Sequence, residues 1–225
     1  MLVVQIREEN KLVLTGMEEK ISTLENDNRA MKAEITTLKK NVENLQDRFD
    51  EEDSYIRRES LIFSGNAVTA HHSNEDCVLV VQTLLKDKLG HIVKKEDISV
   101  SHRLGRKTAT QGPDKRSIIA KFCRRDLKRD LLQTCRNRKP VDFYLSESLT
   151  PLRQKLAATL RRIKKLPNSP LSGMTTLEGR IFAWVKKAEG ETRDKRLCIN
   201  TLPALEDFCQ GYLKRPATEF LVTNQ

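Results

Sequence analysis

From Leu14 to Ile56 the chain places an apolar residue at alternating steps of three and four. The series runs Leu14, Met17, Ile21, Leu24, Asn28, Met31, Ile35, Leu38, Val42, Leu45, Phe49, Glu52, Ile56, with only Asn28 and Glu52 polar. A stripe of this regularity predicts a coiled-coil seam, and therefore an oligomer. With Ile21 at position a, the a residues are Leu14, Ile21, Asn28, Ile35, Val42, Phe49 and Ile56. The d residues are Met17, Leu24, Met31, Leu38, Leu45 and Glu52. The flanking pairs Lys20 with Glu25, Asp27 with Lys32, Glu34 with Lys39 and Arg48 with Asp53 are all opposite in sign, which suits parallel, in-register chains. Each pair contributes only a few tenths of a kcal/mol, so together they select orientation more than they stabilise. The opposite face (Asn26, Arg29, Ala30, Lys40, Glu43, Asp47) is too polar to be buried on both sides. At about 1.5 Å per residue the rod spans roughly 60 Å. Ile at a, Leu at d and an Asn in the seam favour two strands. Phe49, Met17 and Met31 blur that preference.

The pattern changes after Ile56. Leu61 to Gly65 reads as a short strand ending at a turn glycine. Asn74 opens a helical pattern through Val78, Val81, Leu84, Leu85 and Leu89, stopped by Gly90. Glu96 to Leu104 reads as a strand with Ile98 and Val100 on one face. A polar loop over 105–115 holds Gly112-Pro113, and Arg116 to Cys123 is a third strand. Arg124 to Cys135 is a helix, and Val141 to Leu145 a fourth strand. The order β-α-β-β-α-β is the split βαβ arrangement used by RNA-recognition domains and by many unrelated proteins. Beyond Ser146, Leu149 to Leu166 is a basic amphipathic helix. Leu152, Leu156, Leu160 and Ile163 face inward; Arg153, Lys155, Arg161, Arg162, Lys164 and Lys165 lie outside or at its flanks. Pro167-Asn168-Ser169-Pro170 breaks it. Short strands at 174–177, 180–185 and 197–199 follow, then a helix over 203–212 capped by Thr201.

The predicted fold class is therefore α+β: a long N-terminal parallel coiled coil over 1–57, an RNA-recognition-like domain over 58–147, a small basic α+β C-terminal domain over 148–214, and a flexible tail over 215–225.

Charge sharpens this division. The net charge is +10, but residues 14–56 carry 6 Lys/Arg against 11 Asp/Glu, a net of −5. Residues 103–165 carry 19 against 5, a net of +14. Such segregation points to a polyanion, most simply nucleic acid. No window approaches a membrane span, and Met1 to Ile6 is too short for a signal-peptide core. Cys77, Cys123, Cys135, Cys198 and Cys209 form an odd, scattered set. They do not sit at metal-ligand spacing with His71, His72, His91 and His102. An intracellular, reduced protein without metal or other cofactor is expected, with no membrane partner and no small-molecule substrate.

Taken together, a heptad coil ending in Arg57-Arg58-Glu59-Ser60-Leu61, then Ser101-His102-Arg103-Leu104-Gly105, Arg116 to Phe122, Tyr144-Leu145-Ser146-Glu147-Ser148-Leu149, the basic helix, and Ala183-Trp184-Val185 resemble the first-open-reading-frame protein of LINE-type (non-LTR) retrotransposons. The resemblance covers roughly residues 14–210. It implies a homotrimer, where the a/d residues alone lean towards a dimer. It further implies sequence-tolerant binding of single-stranded RNA, with DNA as a second ligand, nucleic-acid chaperone activity, and packaging into cytoplasmic ribonucleoprotein particles with the nucleus as a second location.

The residues expected to meet nucleic acid are Arg57 and Arg58 at the neck, Arg103 and Arg106 around the central loop, and Arg116, Lys121, Arg124 and Arg125 around the third strand. Arg136 and Arg138 follow the second helix. Arg161, Arg162, Lys164 and Lys165 end the basic helix, with Trp184 and Lys186 beyond. The glycine-aromatic signature of RNA-recognition domains is absent, and Phe63 and Phe122 read as core before they read as stacking platforms. Trp184 has the same two readings. Contacts to phosphate by Arg and Lys are the expected mode. No nucleophile-base pair or phosphate-cradling Gly loop is present. Asp142 and Glu147, the one carboxylate pair to weigh for catalysis, sit beside basic residues and read as surface partners. The chain is expected not to be an enzyme; a coiled-coil scaffold without direct RNA binding is the alternative.

Overall fold

In the computed structural model, residues 2–68, 75–106, 115–187 and 193–221 are described. The helix opening expected at Asn74, the Gly112-Pro113 turn, and His71 and His72 lie outside them. The chain is α+β: a long N-terminal helix followed by antiparallel sheets. By its contacts it divides into residues 1–49 and 50–225.

The first unit is helix alone. The helix, α1, runs Leu2–Arg57 without interruption. Its a and d side chains lie open, from 50 % exposed at Ile35 to 73 % at Phe49. Asn28 turns its amide back to the Leu24 carbonyl at 3.2 Å. A stripe of this length with nothing covering it is compatible with a coiled coil.

The second unit begins with the last two turns of α1, although the sequence places the end of the coil at residue 57. The reason is Arg153. Asp50 and Ser54 are buried, and Arg153 bonds both. Strand β1 (Ser60–Ser64) follows, then α2 (Cys77–Leu89), β2 (Ile98–Arg103), β3 (Ile118–Phe122), α3 (Arg125–Arg138) and β4 (Tyr144–Glu147). Asp76 caps α2 by accepting from Val78 N–H at 2.9 Å, and Gly90 ends it in the left-handed conformation. The four strands lie in the order β2-β3-β1-β4, each pair antiparallel. Residues of α2 and α3 join one face of this sheet in a core with Leu61, Phe63, Ile118, Phe122 and Phe143. The other face presents Ile62, Ile119, Lys121, Val100, His102 and Tyr144.

Two local expectations change. Ile98 and Val100 do not share a face: a bulge between them shifts the register, so Ile98 is buried opposite Phe122 while Val100 is exposed opposite Lys121. The fourth strand starts at Tyr144, because Leu145 pairs with Phe63, and this leaves Phe143 as a plug in the core. Gly65 closes the same corner with φ 113°, where an added Cβ would collide with the Asp142 carbonyl oxygen. Gly65→Ala is expected to destabilise the protein by more than about 1 kcal/mol, read as a lowered urea midpoint; a wild-type midpoint would refute the strain.

A second core follows. Helix α4 (Pro151–Lys164) is capped by Thr150, with Pro151 in its first turn. It packs on β5 (Leu171–Leu177) and β6 (Arg180–Val185), with β7 (Lys195–Cys198) beyond β6. Glu178 and Gly179, at φ 52° and 79°, form the two-residue turn between β5 and β6. Helix α5 (Leu202–Phe208), capped by Thr201, runs into a wider turn at Cys209–Leu213. The tail expected to be loose over 215–225 is packed as far as it is described: Ala217 and Phe220 are buried in the core with Leu160, Ile181 and Phe208. Among the described residues no helix is long and apolar enough to cross a membrane.

Candidate nucleic-acid interface

A crevice in the second unit is lined by Arg58, Arg125, Arg129, Leu132, Leu177 and Glu178 over a floor of Lys128 and Glu147. Arg58 leaves the end of α1 with its guanidinium carbon 3.3 Å from the centre of the Tyr55 ring, a cation–π contact that fixes its direction. Arg125 and Arg129 are one turn apart on α3 and so project from one side of it. Both are exposed. Glu59 lies among the cations, 3.4 Å from Arg125 and 3.9 Å from both Arg58 and Lys121. One carboxylate thus faces three cations.

The floor is a buried ion pair. Lys128 donates to Glu147, both side chains being at most 5 % exposed, and the same carboxylate oxygen accepts the Glu178 backbone N–H at 2.9 Å. Glu147, expected as a surface partner, is therefore an interior group that ties α3 to the β5–β6 turn. Arg136 makes a second tie, donating to the Thr176 carbonyl at 2.8 Å. Among the described residues, Arg58 Nε and Glu147 Oε2, both buried at the crevice, have no hydrogen-bond partner. Buried polar atoms without partners are costly; Arg58 Nε is a donor that an anion could meet, whereas the Glu147 oxygen only accepts.

The expected site residues divide by what already holds them. Arg57 pairs with Asp53 at 2.8 Å. Arg103 is committed inside the fold, its side chain 7 % exposed, bonded to Glu75 and to the Arg116 carbonyl. Arg116 donates to the Gly105 carbonyl at 2.6 Å. Arg124 is exposed and pairs with Asp126 at 2.6 Å; its hydrogen bond holds the Asp126 carboxyl down to about 2. Arg106, Arg138, Arg161, Arg162, Lys164, Lys165 and Lys186 are exposed. Arg161, Arg162 and Lys164 form the last turn of α4, a second basic patch. Trp184 is half-buried on β6. Phe63 and Phe122 are fully buried, 6.4 Å apart, so neither reaches the open sheet face.

Sequence reasoning missed Arg129, although its spacing of four from Arg125 was the available signal, and it missed Tyr55 under Arg58. It also placed Arg153 outside α4, whereas Arg153 is 2 % exposed and holds Asp50, Glu51, Ser54 and the Gly179 carbonyl. Its countercharges lie a hundred residues upstream, which helical periodicity alone does not reveal.

Burial pushes the Cys209 thiol up to about 11 and raises Cys77 and Cys135 as well, the opposite of what an activated thiolate requires. Among the described residues no group of three or more His, Cys, Asp or Glu could hold a metal ion. No protein-family model matches the chain, and no curated protein matches it.

Proposed function

We propose that this chain is a self-associating, non-catalytic protein that binds single-stranded nucleic acid, RNA foremost, through phosphate contacts. The observation that carries the reading is the crevice: Arg58, Arg125 and Arg129 converge over a buried floor, with Glu178 among its lining residues and Glu59 beside Arg125. Three supports stand beside it. The strand order β2-β3-β1-β4 with both helices on one face suits an RNA-recognition-like domain. The open face of that sheet offers Ile62 and Ile119 where such domains carry stacking aromatics, which favours backbone contacts over base readout. The exposed a/d stripe supports assembly, which multiplies weak contacts. With the resemblance to LINE-type first-open-reading-frame proteins, the fullest form of the proposal is a homotrimer that coats a retrotransposon transcript as a ribonucleoprotein and acts as a nucleic-acid chaperone.

Filter binding of unrelated single-stranded oligonucleotides tests this directly. Nanomolar binding that weakens steeply between about 50 and 200 mM salt is expected. Undetectable or salt-independent binding overturns it and leaves the coiled-coil scaffold. Arg125→Glu with Arg129→Glu is expected to lower affinity by at least about tenfold and to reduce the salt slope by about two, one for each phosphate no longer neutralised. An unchanged slope would place the binding surface elsewhere.

A further inference from the structure

Strand β6 alternates. Ile181, Ala183 and Val185 enter the second core, and Phe182 and Trp184 lie on the opposite face of the sheet. The inward set satisfies the core, so packing against it does not account for two aromatics on the outer side. Being two residues apart on one strand, their Cα atoms are about 6.6 Å apart, a spacing that lets neighbouring groups of an extended strand be met in turn.

The surroundings of the two rings are specific. Arg196 on β7 pairs across the sheet from Trp184 and lays its guanidinium over Phe182, its central carbon 4.1 Å from the ring centre. Phe182 is thereby almost closed off, while Arg196 remains exposed. On the other side Trp184 faces Gly173 of β5. A Cβ at that position would lie 3.8 Å from Trp184 Cε3, so the missing side chain leaves that edge of the half-buried ring open. Lys186 and Lys187 follow β6 and are exposed; Lys195, also exposed, pairs with Val185 at the same end of the sheet. The neighbouring acid, Asp194, is occupied by the Ser172 hydroxyl at 2.5 Å and the Lys187 N–H at 3.2 Å, and these bonds hold its carboxyl below the usual range.

We propose that this outer face of the β5–β7 sheet is a base-stacking platform for single-stranded nucleic acid, with Trp184 receiving one base and the Arg196 plane, braced by Phe182, receiving the next. The proposal rests on the nucleic-acid reading above and adds to it a contact that phosphates cannot supply. Aromatic and guanidinium planes accept any base, so the platform adds affinity without sequence choice. The exposed lysines at this end of the sheet carry the charge opposite to that of the strand's backbone.

Trp184 is the chain's only tryptophan, so its fluorescence reports this site alone. The full chain is titrated with an oligothymidylate and with an abasic strand of equal length and charge. Quenching by the first and not the second is expected, with about tenfold tighter binding of the base-bearing strand. Trp184→Leu, which keeps an apolar side chain there, is expected to erase that preference while leaving abasic binding and its salt slope unchanged. Arg196→Ala is expected to reduce the preference in part. Equal binding and equal quenching by both strands, or a preference that survives in Trp184→Leu, overturns the platform while leaving the phosphate reading intact. Failure to bind either strand overturns both.

Discussion

Replacing Arg153 with methionine is expected to cost about 3–5 kcal/mol of stability, the usual loss when one partner of a buried ion pair is removed. The size follows from what the guanidinium holds. Its Nε donates to Asp50 at 2.7 Å, Nη1 to the Ser54 hydroxyl at 2.5 Å and the Gly179 carbonyl at 3.1 Å, and Nη2 to Glu51. Thr150, the cap of α4, donates to the same Asp50 carboxylate. Side-chain exposure is 2 % at Arg153 and 10 % at Asp50. Methionine fills much of the volume but leaves the Asp50 charge inside without its cation, and that uncompensated charge is the larger part of the loss. Lysine does not rescue, because one ammonium cannot reproduce a planar fork that reaches four acceptors. Asp50→Asn combined with Arg153→Met is expected to be less destabilised than the sum of the two single changes, since the orphaned charge is gone. Urea unfolding of the four proteins measures the cycle. Arg161→Met, exposed on the same helix, is the control and belongs within about 0.5 kcal/mol of wild type. A loss at Arg153→Met below about 1 kcal/mol would mean the network adds nothing.

That network also marks where the sequence stopped being readable. Periodicity identified α1, both helices of the first sheet and the basic helix α4, because burial on one side imposes a period that the residues record. Cap chemistry located Thr201 and the stop at Gly90. What escaped depends on partners far away in the chain. Arg153 lies on the stripe of Leu156, Leu160 and Ile163, so its position was legible, but a charged residue reads as exposed until Asp50 is known to face it. Val100 left its expected face because one extra residue in β2 reverses the alternation, and nothing in the local sequence signals a bulge. Phe220 looked like part of a loose tail because it lacks a periodic neighbour; it belongs to a core that also holds Leu160 and Phe208, from other helices. The candidate interface follows the same rule. The neck arginine Arg58 and the helix arginine Arg125 were each identified from local charge, but only the fold brings them to one crevice.

Ile21→Asp with Leu38→Asp is expected to give monomers whose affinity for single strands falls by about 10²- to 10⁴-fold, although neither residue lies among the cations. The two positions are one a and one d, both open on α1 at 56 % and 53 % exposure. A carboxylate at each would have to be buried beside its counterparts in the partner helices, at a cost the flanking opposite-charge pairs cannot offset. Residues 50–225 keep their two cores in such a variant, because neither residue belongs to either core. The loss of affinity would then belong to valency rather than unfolding, and an unchanged urea midpoint for the globular unit separates the two. Light scattering gives the order of assembly in the parent protein as two or three times the 25.9 kDa chain. Asn28 bears on the choice. An Asn at an a position favours two strands and costs stability, so Asn28→Ile is expected to stabilise the assembly and relax its order. If the parent is already three-stranded, as the resemblance implies, that change raises stability without altering mass. If the parent is two-stranded, the same change shifts mass upward. Monomers that retain full affinity would show that a single copy of the crevice suffices, and the open stripe of α1 would then need another purpose.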